Sequence, residues 1–328
     1  MSLEFLISKI KKNNFLLIGR AGIDIYPDPP GTKTEKAKTF VAHLGGSSAN
    51  MGVELVKFGG KCSILTRVSD DSLGKLALNQ LDYYGVNRNL VKFEKNESRI
   101  SFAIVESTIE DHQSIIYRHK ASDLFLNKSD IDNAQIENFE CILITGTSLA
   151  AEPSRSAIIY ALERAKSNNI PVIMDIDYRP YTWESSSKAS EVYNLASNMC
   201  SGVIGNDEEF GVLAENYDAG FSFAKKLSDK IDLVIYKKGE KGSITLTNNK
   251  EINKGIFPIR PLKPTGAGDA FMGALIGSIL NGYDIDKSLE IAAAAAAIVV
   301  TKVGCSPAMP NLNESLEFMK YNKISEGD

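Results

Sequence analysis

Three small residues followed by an aspartate form the stretch of this sequence that is best suited to chemistry. Gly266, Ala267 and Gly268 are small enough for a phosphate group to approach the backbone closely, and Asp269 follows them directly. The apolar run 270–280 then predicts a helix. A glycine-rich turn at a helix start points backbone N–H groups and the positive end of the helix dipole, roughly half a charge, at one spot. Asp269 is therefore either a helix cap or a base beside an anion site, and this stretch alone leaves both open.

The overall composition argues against several classes of protein. The 328 residues include 37 Lys plus Arg and 41 Asp plus Glu, so the net charge is −4, which is not the basic surface that nucleic-acid binding needs. The longest apolar run, 291–300, is too short to cross a membrane, and residues 1–14 lack the residue order of a signal peptide. Four scattered cysteines without a C-x-x-C pair suit a reducing compartment. We therefore expect a cytoplasmic protein that binds neither nucleic acid nor membrane.

Short apolar strands alternate with helices along most of the chain, and we find no internal repeat and no clear domain boundary. This alternation predicts a single domain over residues 1–328, an α/β fold with a doubly wound, mostly parallel sheet and helices on both faces. The predicted sheet strands are 15–19, 62–68, 141–145, 171–176, 202–205 and 233–237.

Two runs with partly alternating polarity, 99–106 and 112–119, depart from this order and predict an antiparallel pair that stands off the main sheet. The stretch 37–44 is expected to join them. We predict a small β-sheet lid, built from about 22–44 and 98–125, that closes over a cleft. Because exposed side-sheets often pair, a homodimer through this lid is plausible.

Polar residues after the first strand are placed to bind a ligand. In open α/β sheets, ligands bind beyond the carboxyl ends of the strands, where Arg20 and Asp24 lie. Gly46 and Asn50, just before and within the next predicted helix, add close backbone approach and an amide that can both donate and accept. The alternatives are that Asp24 is only a turn residue and that Gly46 and Asn50 only belong to a capped helix.

Common nucleotide-binding fingerprints are absent. Gly266 and Gly268 match the first two glycines of G-x-G-x-x-G, but Phe271 stands at the third. No stretch matches the phosphate-binding pattern G-x-x-x-x-G-K-[ST]. An NAD-dependent enzyme is therefore a weak competitor.

Several motifs nevertheless occur in the order found in one known family. They are 263–276 with its G-A-G-D core, Gly45-Gly46 with Asn50, Asn206 with Glu209, and Gly239 with Gly242. Together they resemble the signatures of the PfkB, or ribokinase-like, family of sugar kinases, and they span residues 15–310. The sequence departs from the N-terminal signature at Ser48, Gly52 and Ser69.

This resemblance implies a ribokinase-like fold, ATP and Mg²⁺ as cofactors, and transfer of the γ-phosphoryl group to a sugar hydroxyl. It implies that Asp269 is the base and that the N–H groups of Gly266, Ala267 and Gly268 form the anion hole. Glu209 would hold the hydrated Mg²⁺ through water. The positions implied to lie at the nucleotide and its metal ion are Asn206, Glu209, Lys238, Gly239, Gly242, Thr265 and Gly268.

Further stretches resemble the branch of the family that phosphorylates 5-dehydro-2-deoxy-D-gluconate to its 6-phosphate in myo-inositol catabolism. They are 17–24, 69–71, 117–118, 123–124, 146–147 and 177–183. The carboxylate of a sugar acid favours arginine as its partner. The substrate residues are then expected to be Arg20, Asp24, Gly46, Asn50, Tyr117, Arg118 and Arg179. The alternatives are a 2-keto-3-deoxygluconate kinase, a fructokinase or ribokinase type of sugar kinase, and a non-catalytic paralogue that binds sugar or nucleotide.

One departure from the family's residue pattern has a physical consequence. Many members of the family have Asp at the position of Lys263, where it helps to bind a monovalent cation beside the anion hole. A lysine there is itself a cation. We therefore expect that Lys263 removes the need for K⁺.

Overall fold

A computed structural model gives the fold over residues 2–95, 97–247 and 250–327. Its strands are β1 Phe15–Ile18, β2 Gly22–Asp28, β3 Thr39–Gly45, β4 Cys62–Leu65, β5 Arg67–Ser69, β6 Lys92–Glu94, β7 Ser101–Val105, β8 Ser114–Tyr117, β9 Cys141–Thr145, β10 Val172–Asp175, β11 Gly202–Asn206, β12 Leu233–Lys237, β13 Ser243–Thr247 and β14 Lys250–Lys254. Its helices are α1 Leu3–Ile10, α2 Ser47–Lys57, α3 Ser72–Tyr84, α4 Lys128–Ala134, α5 Ser154–Ser167, α6 Ser186–Ser197, α7 Asp207–Leu213, α8 Gly220–Ser228, α9 Ala267–Leu280, α10 Ile285–Val300 and α11 Leu312–Tyr321.

The main sheet has the strand order β14-β13-β12-β11-β10-β9-β1-β4. Its strands are parallel from β4 to β12, and only the β12–β13 and β13–β14 pairs are antiparallel. The chain starts near one side at β1, adds β4 beside it, and then continues in the other direction with β9. The carboxyl ends of β1, β9, β10, β11 and β12 therefore lie along one edge of the sheet, where a doubly wound fold binds its ligand.

Alternate residues of each central strand pack into two separate apolar layers. Leu17 belongs to the core beneath α1, α2, α9 and α10, whereas its neighbours Leu16 and Ile18 belong to the core beneath α5 and α6. This follows from the period of two in a strand. The confirmed architecture is thus a mostly parallel sheet with helices on both faces. No helix of the described residues is long and apolar enough to cross a bilayer.

A second, smaller sheet has the order β3-β2-β7-β8. Its β2–β3 and β7–β8 pairs are antiparallel, whereas β2 and β7 run parallel. β2 follows β1 after only three residues, so this sheet begins directly at the carboxyl edge of the main sheet. The small sheet that the sequence predicts is present.

Some elements differ from the expectations. The predicted strand 62–68 divides into β4 and β5, because β5 leaves the main sheet to pair with β6. The last strand of the main sheet, β14, ends at Lys254. The sequence also did not identify α1, α4, α8 and α11 as helices. They are short or peripheral elements, and packing against the rest of the chain contributes most of a short helix's stability.

Two glycines of α9 allow this helix to lie very close to α2. A Cβ atom added at Gly273 would stand 2.6 Å from Cβ of Glu54, and one at Gly277 would meet the side chain of Phe58. By contrast, a Cβ at Gly52 in α2 would meet Val86 at an ordinary 3.5 Å. The contact between α2 and α9 therefore depends on Gly273 but not on Gly52.

We predict opposite effects for alanine at these two glycines. Gly273→Ala overpacks the interface and lowers the free energy of unfolding by about 1–3 kcal/mol. Gly52→Ala is the matched control, since it adds the same methyl group where there is room; it leaves stability unchanged or raises it by up to about 1 kcal/mol. Urea unfolding measures both values. Equal stability of the two variants would contradict the close contact.

Candidate active site

The start of α9 presents free backbone donors. Gly266 is the N-cap with φ +90°, and the first hydrogen bond of the helix runs from Ala270 N to Gly266 O at 3.0 Å. Asp269 is thus the third residue of the helix and not its cap. The first of the two interpretations of Asp269, that of a helix cap, is therefore wrong. A Cβ at Gly266 would stand 2.9 Å from Sγ of Cys305, so both its space and its backbone angle favour glycine.

The Asp269 carboxylate is held from the neighbouring helix. Asn50 of α2 donates from Nδ2 to Oδ2 of Asp269 at 2.8 Å, and Ser306 donates to Oδ1 of Asn50 at 2.7 Å. Burial raises the pKa of Asp269 to about 8, and the carboxylates of Asp177 and Asp175 raise it further against the opposing Asn50 bond. A base with such a pKa holds a proton well near neutral pH. Asn50, expected to contact the sugar, therefore contacts the expected base.

Charged side chains from other strand ends surround this position. Asp175, Asp177 and Glu209 are buried, and Lys237 lies among them with Nζ 4.0 Å from Oδ1 of Asp175. Burial acts against the charge of Lys237, but the surrounding carboxylates, with Asp175 and Glu209 contributing most, together outweigh it and raise the lysine pKa. Asp177 pairs with Arg179 at 2.6 Å. Burial raises the pKa of Asp177, but Arg179, the Ser47 hydroxyl and the nearby arginines together lower it further than burial raises it.

Glu209 has its two carboxylate oxygens engaged by backbone donors. Oε2 accepts from Asn206 N at 2.7 Å in a capping box, and Oε1 accepts from Tyr178 N at 3.1 Å. Burial raises the pKa of Glu209 to about 7. Each oxygen keeps a further lone pair that a water molecule can use. Among the described residues, no group of three or more His, Cys, Asp and Glu side chains could hold a metal ion.

The three arginines singled out in the sequence converge. Arg20, Arg118 and Arg179 line one small cavity with Tyr181 and Asp177. The three arginines differ in how many of their N–H donors are already bonded within the protein. Arg118 donates to the Asp123 carboxylate with two nitrogens and to Thr147 O at 2.7 Å with the third. Arg20 is buried and donates from one nitrogen to Ser101 of β7 at 2.8 Å.

A cavity of about 740 Å³ continues from there under the second sheet. Arg118 and Tyr181 line both spaces, whereas Tyr117 lines only the larger one. Tyr117 is 57% exposed and carries a ring contact to Phe102. The structure therefore places Tyr117 outside the small cavity that the three arginines share.

Asp24 and Gly46 lie where β2 and β3 meet the main sheet. Asp24 is buried, and burial raises its pKa against the opposing charges of Arg20 and Lys263. Its carboxylate lies against the backbone of Gly45, in space that a Cβ would take. Gly46 is the N-cap of α2 with φ +95°, and a Cβ there would stand 2.5 Å from Arg20 O. These contacts give both glycines a structural role.

The turn after β12 contains the remaining expected nucleotide residues. Gly239 and Gly242 have φ +59° and +84°, and Lys238 N donates to Gly242 O at 2.7 Å. A Cβ at Gly242 would collide with Lys254 O, so the hairpin requires this glycine whatever it binds. Thr265 has a buried hydroxyl with no partner among the described residues.

Lys263 is completely buried beside the start of α9. Its Nζ donates to Thr265 O at 2.6 Å and to Val299 O at 3.2 Å. Burial lowers its pKa, while Cys305, Asp269 and Asp24 oppose this shift. Backbone carbonyl oxygens are the ligands that a monovalent cation would use. The Lys263 ammonium group already binds two such oxygens.

Comparisons with known proteins fit this arrangement. Residues 12–312 match the family described as pfkB family carbohydrate kinase. The chain belongs to this family. A protein of Geobacillus thermodenitrificans named 5-dehydro-2-deoxygluconokinase is 35% identical over 321 residues, which is 96% of this chain and 95% of the relative. One of the same name from Clostridium beijerinckii is 35% identical over 327 residues, 98% of this chain and 96% of the relative.

Solved structures show the same fold. A fructokinase of Vibrio cholerae O395, bound to fructose, ADP and potassium ion, has a TM-score of 0.82 at 24% identity and covers 93% of this chain and 98% of its own. A putative ribokinase II of E. coli, in complex with ATP and Mg²⁺, has a TM-score of 0.84 at 20% identity and covers 94% of this chain and 99% of its own. The expected ribokinase-like fold is confirmed, and the chain is an ATP-dependent carbohydrate kinase.

Sequence reasoning overlooked three polar residues of this kinase's site. Asp175 and Lys237 are the last residues of β10 and β12, and their places at strand ends were the signal that could have identified them. Ser306 follows α10 in a short 3-10 turn, and nothing in its local sequence indicates that it contacts Asn50.

Proposed function

We propose that this kinase phosphorylates 5-dehydro-2-deoxy-D-gluconate on its primary hydroxyl to give the 6-phosphate. The observation that carries the proposal is the convergence of Arg20, Arg118 and Arg179 on one cavity, with Arg179 close enough to Asp269 for their charges to interact. A neutral sugar does not require such a cluster, whereas a sugar acid can place its carboxylate there and its far hydroxyl at Asp269. The names of the curated relatives agree with this acceptor.

Arg20 is the arginine with most capacity left for a substrate carboxylate. Arg118 is committed to Asp123, and Arg179 is committed in part to Asp177. Arg20 is buried beside the carboxylates of Asp24 and Asp177, yet its one described hydrogen bond, to Ser101, leaves further N–H donors. A buried guanidinium with spare donors is a strong partner for a carboxylate.

In the proposed reaction, Asp269 accepts the proton of the sugar's primary hydroxyl as that oxygen attacks the γ-phosphorus of ATP. The new O–P bond forms while the bond to the β,γ-bridging oxygen breaks, and ADP leaves with those electrons. The N–H groups at Gly266, Ala267 and Gly268 stabilise the charge on the transferred group. Asn50 keeps the Asp269 carboxylate oriented, because it is itself fixed by Ser306.

We further propose that Glu209 holds Mg²⁺ through water. Its oxygens are engaged by backbone N–H groups but keep lone pairs, which suits an ion that retains most of its waters. Bound to the phosphates of ATP, the ion would neutralise charge there. Asn206 fixes the Glu209 side chain through the capping box, and the Gly239–Gly242 turn, with Lys238 and Thr265, borders the nucleotide.

Substitution of Arg20 tests the acceptor. We predict that Arg20→Leu lowers kcat/KM for 5-dehydro-2-deoxygluconate about 10- to 100-fold, because a hydrogen bond to a charged group contributes about 1.5–3 kcal/mol. Turnover of a neutral sugar such as fructose should not change. ADP release over a panel of sugar acids and neutral sugars measures this, with ³¹P NMR of the product. Arg164→Leu, at an exposed ion pair, is the control.

The panel of sugar acids and neutral sugars also distinguishes the alternative functions. Preference for 2-keto-3-deoxygluconate would keep the carboxylate site but change the acceptor. Preference for fructose or ribose in the wild type, with no effect of Arg20→Leu, would contradict the sugar-acid proposal. No ADP release with any acceptor would favour a sugar- or nucleotide-binding protein without catalysis.

Substitution of Asp269 tests the base. Asp269→Asn should lower kcat by about 10²–10⁴-fold while ATP still binds. The ionised carboxylate is the active form and its pKa is raised to about 8. The rate must therefore rise with pH, and kcat/KM of the wild type should fall about tenfold per pH unit below that value. Asp132→Asn, an exposed carboxylate, is the control. A flat profile from acid to neutral pH, or near-normal turnover of Asp269→Asn, would exclude this base.

Lys263 leads to a prediction about monovalent cations. Because its ammonium already binds Thr265 O and Val299 O, turnover of the wild type should be the same with and without K⁺. Lys263→Ala frees both carbonyl oxygens, so its lowered activity should be partly restored by K⁺ or ammonium. Steady-state kinetics in K⁺-free buffer measure both. Steep activation of the wild type by K⁺ would contradict the role of Lys263.

We also propose that two chains pair through the second sheet. That sheet exposes Phe40, Val41, Ile115 and Tyr117, each at least 40% accessible, and a second copy would cover them. Sedimentation velocity tests this, and a monomer at all concentrations would contradict it.

The four cysteines are free thiols, which suits the cytoplasmic location we propose.

A further inference from the structure

Lys237 is a partly buried cation whose Nζ makes no hydrogen bond to any residue that the structure describes. It is the last residue of β12, at the carboxyl edge of the main sheet. Its nearest recorded carboxylate oxygen, Oδ1 of Asp175, is 4.0 Å from Nζ. Across residues 2–95, 97–247 and 250–327, no hydrogen bond from this Nζ is found. Three N–H donors are therefore available in a partly buried place, where polar groups are normally paired.

The ammonium group of Lys237 lies directly beside the start of α9. A Cβ atom added at Gly268 would stand 3.4 Å from Nζ of Lys237 and 3.7 Å from Oδ2 of Asp175. Gly268 is the second residue of α9, so its N–H group is one of the donors without a partner inside the helix. The absence of a side chain at this position leaves the space between the ammonium and the backbone N–H open.

We propose that Lys237 is a catalytic residue that binds a non-bridging oxygen of the phosphoryl group during its transfer. The proposal rests on the phosphoryl transfer described above but not on the identity of the sugar. The acceptor oxygen forms its bond to phosphorus, the bond to the β,γ-bridging oxygen breaks towards ADP, and the acceptor's proton moves to Asp269. Lys237 exchanges no proton; it neutralises charge on the group as it moves from one oxygen to the other.

The alternative is that Lys237 only balances the buried carboxylates around it. The geometry argues against this. A lysine that serves a carboxylate normally bonds it directly, at about 2.7–2.9 Å, as Lys9 bonds Glu140 at 2.7 Å in this chain. Lys237 instead lies at 4.0 Å from Asp175. Asp175 attracts and positions the ammonium without occupying its donors, and the carboxylates keep the pKa of Lys237 raised, so that it stays charged.

The expected effects of Lys237→Met separate the two roles. This variant keeps the length of the side chain and removes its charge. We expect kcat to fall about 10²–10³-fold, as for loss of one donor to a developing charge, with an unchanged KM for the sugar. Isothermal titration should show ATP binding weakened about tenfold or more and ADP binding unchanged, since ADP lacks the transferred group. ADP with aluminium fluoride, which imitates that group, should lose its extra affinity. Lys225→Met, at an exposed lysine–glutamate pair, should change none of these values.

A double variant covers the possibility that Lys237→Met leaves unbalanced charge and misfolds. Lys237→Met with Asp175→Asn removes both charges together. If Lys237 binds the phosphoryl group, the double variant folds and remains as slow as the single variant. Recovery of kcat in the double variant, equal weakening of ATP and ADP, or a kcat within a few-fold of the wild type would each overturn the proposal. The nucleotide measurements need no sugar, so they test Lys237 even if the proposed acceptor is wrong.

Discussion

The close packing of α2 against α9 is the contact on which the active site depends. Both helices begin at glycine N-caps with positive φ, Gly46 and Gly266. Gly273 lets the two backbones approach, because any Cβ there would strike Glu54. This proximity brings the Asn50 amide within 2.8 Å of the Asp269 carboxylate. The first turn of α9, where we propose an anion hole, and the proposed base Asp269 are thus held against Asn50 by packing several residues away.

Around that contact lie several carboxylates, whose negative charges repel one another. Asp175, Asp177, Glu209 and Asp269 come from three different parts of the chain, and burial disfavours their charged forms. Arg179 and Lys237 compensate some of them. As a result, Asp269 and Glu209 have pKa values of about 8 and 7. Such raised values are typical of functional carboxylates.

The second sheet contacts two of the three arginines that we propose bind the substrate. Arg20 lies two residues after β1, yet its guanidinium donates to Ser101 of β7, and Arg118 follows β8. Movement of this sheet would therefore carry two of the three arginines relative to Asp269.

Some residues of the family motifs are also required by the fold itself. Gly242 belongs to a motif expected at the nucleotide, but the hairpin could not form without it, since its Cβ would collide with Lys254 O. Asn206 and Glu209 likewise form a capping box that α7 would use in any protein. A matching motif residue can thus be required by the fold and by a ligand at once, and only substitution with a functional readout separates the two.

The sequence by itself determined the elements and the chemistry available to them. The strands of the main sheet follow from short apolar runs such as β1 and β9, and the G-A-G-D stretch indicates an anion site because glycine and a helix start act locally. Asp269 could be selected from that helix start and Arg20 from its position after β1, whereas Arg118 and Arg179 were selected through the resemblance to the family. Local sequence was weaker for α1, α4, α8 and α11, whose stability depends on neighbours.

Only the tertiary structure decided which of these groups meet. The bond from Asn50 to Asp269 joins residues 219 positions apart, and that from Ser306 to Asn50 joins residues 256 apart. Whether Arg118 is free or already bound, how far Lys237 lies from Asp175, and where the Lys263 ammonium rests are equally non-local. The raised pKa of Asp269 has the same origin, because burial and neighbouring charges, rather than residue type, set how readily a carboxylate gives up its proton.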